Sequence, residues 1–291
     1  MRQAIIEGLV VLLSLGAIVI SLLICYIGVF RNCTRGVDMI LLVVMSLLDS
    51  GMGMMWLSLL LTKWAVGHDI LQIEYVCNFQ AMLYIFMIES SSDCAVILSL
   101  LRFGVIVQGW RVRRWLWLMV VVFVLVTSLA FSVAATSYNL NQIMPNGSYC
   151  EPVTTKDIPF SIFYRYWLLG RIIISPIIIS ICYASITIRY YTFITGASLP
   201  ILRSLPRLLV GCVAYAVCFL PTIFTSLYQV VSKKSVSADI DCVVFLSALS
   251  IIIINPLFAV LVHDETKREF VSLMHSANLI FNPKWDSPSS Y

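Results

Sequence analysis

Apolar residues in this chain do not alternate with polar ones; they run on. Seven stretches stand out: Ile5 to Phe30, Val37 to Leu61, Ile73 to Val107, Trp115 to Tyr138, Phe160 to Tyr191, Leu208 to Val231 and Cys242 to Val262. Each reaches or exceeds the roughly 20 residues that cross a bilayer as a helix. Inside lipid every backbone N–H and C=O needs a partner within its own segment, so the pattern predicts seven membrane-spanning helices. The breaks are polar or basic, as in Arg31-Asn32-Cys33-Thr34-Arg35-Gly36 and Ser232-Lys233-Lys234-Ser235. The first stretch is longer than the apolar core of a signal peptide and is followed by no small-residue cleavage site, which predicts a retained span.

Composition strengthens this reading. The 291 residues are 60% apolar and only 12% charged, with mean hydropathy +0.95. That leaves too little polar surface for a soluble enzyme, a disordered chain or a nucleic-acid binder. The net charge of +4 is small, and its distribution says more. With the N-terminus outside, the outer segments hold Arg2, Lys63, Lys156, Arg165, Lys233 and Lys234, and Arg171 lies within a span. The other twelve of the 19 basic residues fall in inner segments. Basic residues favour the cytoplasmic side, so the N-terminus is expected outside and the C-terminus inside. Residues 1–262 then form the span bundle. Residues 263–291 form an inner amphipathic helix, with Phe270, Leu273, Met274 and Ala277 at helical spacing, and a short tail. Of two glycosylation sequons, Asn146-Gly147-Ser148 falls outside and Asn32-Cys33-Thr34 inside, so Asn146 is the expected acceptor.

The third span has a direction of its own. Cys77 lies 25 residues before Arg102, about 37 Å of helix, which is a bilayer with part of its headgroups. At about 100° per residue, Cys77, Tyr84, Ser91, Ala95 and Arg102 form one stripe, expected to face the bundle interior. Cys77 and Cys150 are the cysteines expected in outer loops or at span ends, apart from Cys242 at the start of the seventh span. An oxidising outer compartment favours a disulfide, and Cys77–Cys150 would pin the second outer loop to the third span.

These residues resemble the rhodopsin-like G-protein-coupled receptors along nearly the whole chain. The likeness rests on seven spans, a cysteine 25 residues before an arginine, Trp64-x-x-Gly67 and a partner cysteine in the second outer loop. It is supported by Asp49 in the second span, Pro176 in the fifth, Cys218-Phe219-Leu220-Pro221 in the sixth and Asn255-Pro256 in the seventh. It implies that Arg102 and Phe103 meet a heterotrimeric G protein, and that Phe219, Pro221, Asn255 and Pro256 form the activation switch. Asp49, Ser91 and Asn255 would build a polar core able to hold sodium as an allosteric ligand, with no other cofactor. The chain departs from the family's pattern at Leu101, where an acid precedes the arginine, and at Phe219, Ala259 and Ser21. With no acid at position 101, and none from Ile201 to Arg207, a restraint on the inactive state is missing and raised basal signalling is expected.

Charged residues within spans are functional until shown otherwise. Glu89 and Arg171 lie at matching depths, about 18 Å and about 16 Å along their helices. The resemblance makes the third and fifth spans neighbours, so the two are expected to pair, with Asp93 one turn on as a competitor. By the resemblance, Tyr84, Ile88, Phe219, Thr222, Ile223, Phe245 and Leu249 line an outer cavity, mostly apolar with few polar anchors. Amine receptors carry an aspartate where Tyr84 stands and opsins a lysine where Leu249 stands, so neither a cationic amine nor retinal is favoured, and the expected ligand is an extracellular small molecule, lipid or peptide of lipid-like or odorant-like character. His68, His263 and His275 lie outside the spans' interiors, no nucleophile–base pair or metal-ligand spacing is visible, and no enzyme is expected. The reading is an all-α seven-span receptor of the plasma membrane. A receptor-fold protein that binds without coupling is the second reading, and a transporter or channel the third.

Overall fold

The computed structural model describes residues 2–31, 36–67, 70–110, 113–152, 158–194, 205–232, 236–262, 270 and 272. The architecture is that of an all-α membrane protein. The long helices are α1 (Arg2–Tyr26, extended by a π-helical turn over Ile27–Arg31), α2 (Val37–Val66), α3 (Glu74–Ile106), α4 (Arg114–Ser137), α5 (Pro159–Ile194), α6 (Leu205–Ser232) and α7 (Ala238–Val262). Six of them are apolar and long enough to cross a membrane; in α6 the described apolar stretch, Ala216–Ser232, is shorter. The sequon at Asn32, the segment 195–204 and most of the expected amphipathic helix lie outside the described residues. Of that helix Phe270 is described, and it packs against the apolar cluster of α1 to α4.

The helices form where the apolar runs put them, and their interiors carry the kinking prolines Pro176, Pro221 and Pro256. Small residues let α1 and α2 approach closely. A Cβ on Gly53 would stand 3.0 Å from the Ser14 carbonyl oxygen, and one on Gly28 would meet Val43 at 2.6 Å. Such small-residue contacts are how helices associate where lipid removes the hydrophobic drive between them.

The α3 helix is the axis of the bundle. It packs against α2, α4 and α5, and its buried residues include Gln80, Tyr84, Glu89, Ser90, Ser91, Cys94 and Ser99. Burial therefore runs round much of its circumference rather than along the single stripe the spacing predicts. The Cys77 end of α3 is covered by a two-stranded hairpin, β1 (Asn141–Ile143) and β2 (Cys150–Pro152), paired antiparallel with Ile143 opposite Cys150. Pro145-Asn146-Gly147 makes its turn, with Gly147 at φ 71°. Asn146 Oδ1 accepts the Ser148 N–H at 2.9 Å, the side-chain turn that suits asparagine to this place.

Candidate functional site

Three structural layers follow one another along α3. At the hairpin end, Cys77 and Cys150 form the disulfide, with Cα atoms 5.5 Å apart. Gln80 Oε1 accepts the Cys150 N–H at 2.6 Å, so β2 is held to α3 at two adjacent points. This sets Tyr149 inside the bundle. Its ring stacks on Phe245 at 4.7 Å and meets Tyr84 and Trp56 edge-on at 5.9 and 6.3 Å. Its hydroxyl donates to Asp241 Oδ1 at 2.9 Å, while Asp241 Oδ2 accepts the Asn146 N–H at 3.1 Å. One α7 carboxylate thus ties down both ends of the turn. Burial pushes the Glu151 carboxyl on β2 up to about 7; the Asp241 charge acts in the same direction and the Tyr149 hydroxyl against it.

Beneath this roof α3, α5, α6 and α7 line a partly open cleft with a cavity volume of about 80 Å³. Its walls include Ile85, Ile88, Ile172, Phe219 and Ile251, and it also receives Glu89, Asp93, Glu151 and Arg171. Arg171 on α5 reaches both acids of α3, Nη1 to Glu89 and Nη2 to Asp93. Nη2 also bonds Ser128 Oγ of α4 at 3.1 Å, and the guanidinium carbon stands 5.7 Å from the Trp167 ring centre. Glu89 and Asp93 sit one helical turn apart, which is the spacing that lets one guanidinium take a carboxylate on each edge. The two acids therefore share Arg171 rather than compete for it.

In the middle of the bundle Ser91 donates to Asp49 Oδ1 at 2.7 Å and accepts from Asn255 Nδ2 at 3.0 Å. This chain of hydrogen bonds joins α2, α3 and α7, and all three residues are buried. Asp49 Oδ2 has no hydrogen-bond partner. For sodium, that oxygen and Ser91 Oγ are the donors at hand, while Ile251 and Ile252 present buried hydrocarbon from α7. Among the described buried oxygens on this level, Asp49 Oδ2 alone is a carboxylate oxygen without a hydrogen bond.

At the far end of α3, Arg102 Nη1 bonds the Tyr183 hydroxyl of α5 at 3.2 Å, and Nη2 is buried with no partner. Phe103 packs into the apolar cluster of Ile179, Tyr183, Ile186 and Phe219. The helix closes with Trp110 folded back over Gly104, whose carbonyl accepts the Trp110 N–H at 2.9 Å. A Cβ on Gly104 would lie 2.2 Å from the indole ring, so this close approach requires glycine.

The structure brings some expected residues together and separates others. Tyr84, Ile88, Phe219 and Thr222 line the cleft, but Ile223 packs with Phe219 and Ile179 outside it. Phe245 and Leu249 are spent in an apolar cluster with Trp56, Ile252 and Tyr149. Tyr149 stands at the mouth of the cleft, which is mostly apolar as expected, with Glu89, Asp93, Glu151 and Arg171 as its charged anchors. Arg165, placed by sequence in an outer loop, is buried within α5. Asn146 Nδ2, the atom a glycan would join, is buried without a hydrogen-bond partner in the docked hairpin. Pro221 and Pro256 lie inside α6 and α7 as expected, whereas the side chains of Arg207 and Ala259 fall outside the described residues. Sequence reasoning missed Tyr149, Glu151, Asp241 and Tyr183. For the hairpin a signal existed in Pro145-Asn146-Gly147; for the others none did.

No protein-family model matches the chain, and no curated protein matches it.

Proposed function

We propose that the chain is a rhodopsin-like G-protein-coupled receptor of the plasma membrane, with seven spans and the N-terminus and hairpin outside. The observation that carries this reading is the order of features along α3: a cystine to the hairpin at one end, the Asp49–Ser91–Asn255 chain in the middle, and Arg102 at the other. The outer cystine fixes a roof over a ligand cleft. The middle chain joins α2, α3 and α7 through polar groups, so a change in packing on one helix is felt by the others. At the inner end Arg102 meets a tyrosine, not an acid, and keeps buried donor capacity for a partner. An extracellular ligand in the cleft would shift Phe219 and the Pro221 hinge of α6, opening the inner face to a heterotrimeric G protein. Sodium at Asp49 and Ser91 would act as an allosteric ligand of the state in which those oxygens are closest.

The test is nucleotide exchange on a panel of Gα subunits in membranes carrying wild type or Arg102→Glu. Exchange above a receptor-free control that Arg102→Glu abolishes is the expected result. Its absence on every subunit, with and without ligand, would favour the second reading, a receptor fold that binds without coupling. That reading draws on Leu101, which offers Arg102 no charge to release on activation.

A further inference from the structure

Among the described residues, three carboxyl groups and one guanidinium line the cleft beneath Tyr149. Glu89, Asp93 and Glu151 enter it against Arg171 alone. Arg171 is already engaged by two carboxylates, the Ser128 hydroxyl and the Trp167 face, so it has little to offer an anion. The other oxygen of Glu89, Oε1, is buried without any hydrogen-bond partner, and the residue as a whole is 6% exposed. Across the cleft on α6, Thr222 Oγ1 is also buried and unpartnered. Buried polar atoms are nearly always satisfied, and a carboxylate oxygen left bare is among the costlier exceptions. The remaining wall is hydrocarbon, from Ile85, Ile88 and Ile172. Apolar walls with a few convergent polar atoms are the chemistry of a site for a small organic molecule.

We propose that this cleft binds a small organic cation, an arylalkyl- or alkylammonium whose N–H groups donate to Glu89 Oε1 and whose apolar body lies against the isoleucines. Glu151 on the hairpin holds the ammonium by charge from above, and Thr222 accepts a further hydrogen bond. Arg171 is matched by two carboxylates, and the ammonium would favour the ionised form of the third carboxyl. As the identity of a receptor's ligand this rests on the reading above; as a binding site it rests on the cleft alone. The absence of an acid at position 84 is no obstacle, because the acids come from other points of α3 and from β2.

The test uses the full-length protein in phosphatidylcholine nanodiscs and three probes of similar shape: 2-phenylethylamine, 2-phenylethanol and 3-phenylpropionate. Hexylamine and 3-phenylpropylamine extend the amine set. Saturable binding of an amine, with at least tenfold weaker binding of the alcohol and the acid, is the expected result. Glu151→Gln should weaken amine binding about tenfold or more. This variant leads because Glu151 takes no part in the Arg171 clamp, so its fold does not depend on that contact. Glu89→Gln should act in the same direction. Equal binding of the neutral or acidic probe, unchanged amine affinity in Glu151→Gln, or no binding by any of the three amines would each overturn the proposal. Nucleotide exchange on the same nanodiscs separates the two readings. Amine binding with no exchange leaves the site standing and removes coupling; exchange with no amine binding does the reverse.

Discussion

Tyr149 of the hairpin and Asp241 of α7 are joined by a 2.9 Å hydrogen bond in the interior of the bundle. The ring is 1% exposed and is held by Trp56, Tyr84 and Phe245. Tyr149→Phe keeps the ring and strips Asp241 Oδ1 of its donor. The expected loss is about 1–3 kcal/mol, the range for an orphaned buried acceptor. Tyr149→Ala removes the ring as well and should cost about 3–5 kcal/mol. Thermal midpoints of the purified protein in detergent would show the ranking, and equal midpoints for wild type and Tyr149→Phe would contradict the bond.

Removing Arg171 should be worse than neutralising either of its partners. Arg171→Met leaves Glu89 and Asp93 facing each other without a cation, whereas Glu89→Gln or Asp93→Asn leaves one pair intact. Breaking a buried pair from one side costs about 3–5 kcal/mol. Adding Glu89→Gln to Arg171→Met should therefore restore part of the loss. Size-exclusion profiles after brief heating report the folded fraction; a double variant worse than Arg171→Met would count against the shared clamp.

Sodium should raise the midpoint of wild type and leave Asp49→Asn unmoved, because the neutral amide takes away the one carboxylate in the middle layer. Potassium or choline at equal ionic strength controls for screening. No sodium effect in either protein would remove the allosteric ion from the reading.

The hairpin should loosen as pH rises. Glu151 is raised from the ordinary glutamate range to about 7 by burial, with Asp241 of α7 adding to the shift and the Tyr149 hydroxyl opposing it. Across the cleft it shares its surroundings with Glu89 and Asp93 of α3 and Arg171 of α5. A group that binds its proton more tightly when folded stabilises the fold below its unfolded pKa, and loses that contribution as pH climbs through the folded one. Stability should thus decline from about pH 4.5 to about pH 7 and level off above. Glu151→Gln should flatten the profile over that window. A wild-type profile as flat as that of Glu151→Gln would refute the assignment.

The spans were legible because lipid imposes one solution on a long apolar run, and that solution needs no tertiary information. The Glu89–Arg171 contact was legible from matching depth together with the neighbouring third and fifth spans that the family resemblance implies. Asp93 was read as a rival because one-dimensional spacing hides the two edges of a guanidinium. The cavity was harder. Phe245 and Leu249 fall where the family resemblance puts pocket residues, yet a tyrosine from a loop packs against them. Three-residue strands carry no period to read, and nothing about Tyr149 in sequence distinguishes a solvent-facing ring from one inserted among helices. Tyr183 escaped for the same reason, as one aromatic among several near the end of α5.

The cystine between Cys77 and Cys150 spans 73 residues and closes before α5, α6 and α7 follow in the chain. During synthesis the hairpin can thus be fastened to α3 while more than a third of the chain is still to come. The later helices would arrive at a lid already in position and mould the cleft to its underside. Copies that leave the oxidising lumen with these thiols still reduced would carry the same helices but an unshaped mouth. Ligand-binding capacity, unlike helix content, would then report how well the cell's oxidative folding machinery kept pace with translation.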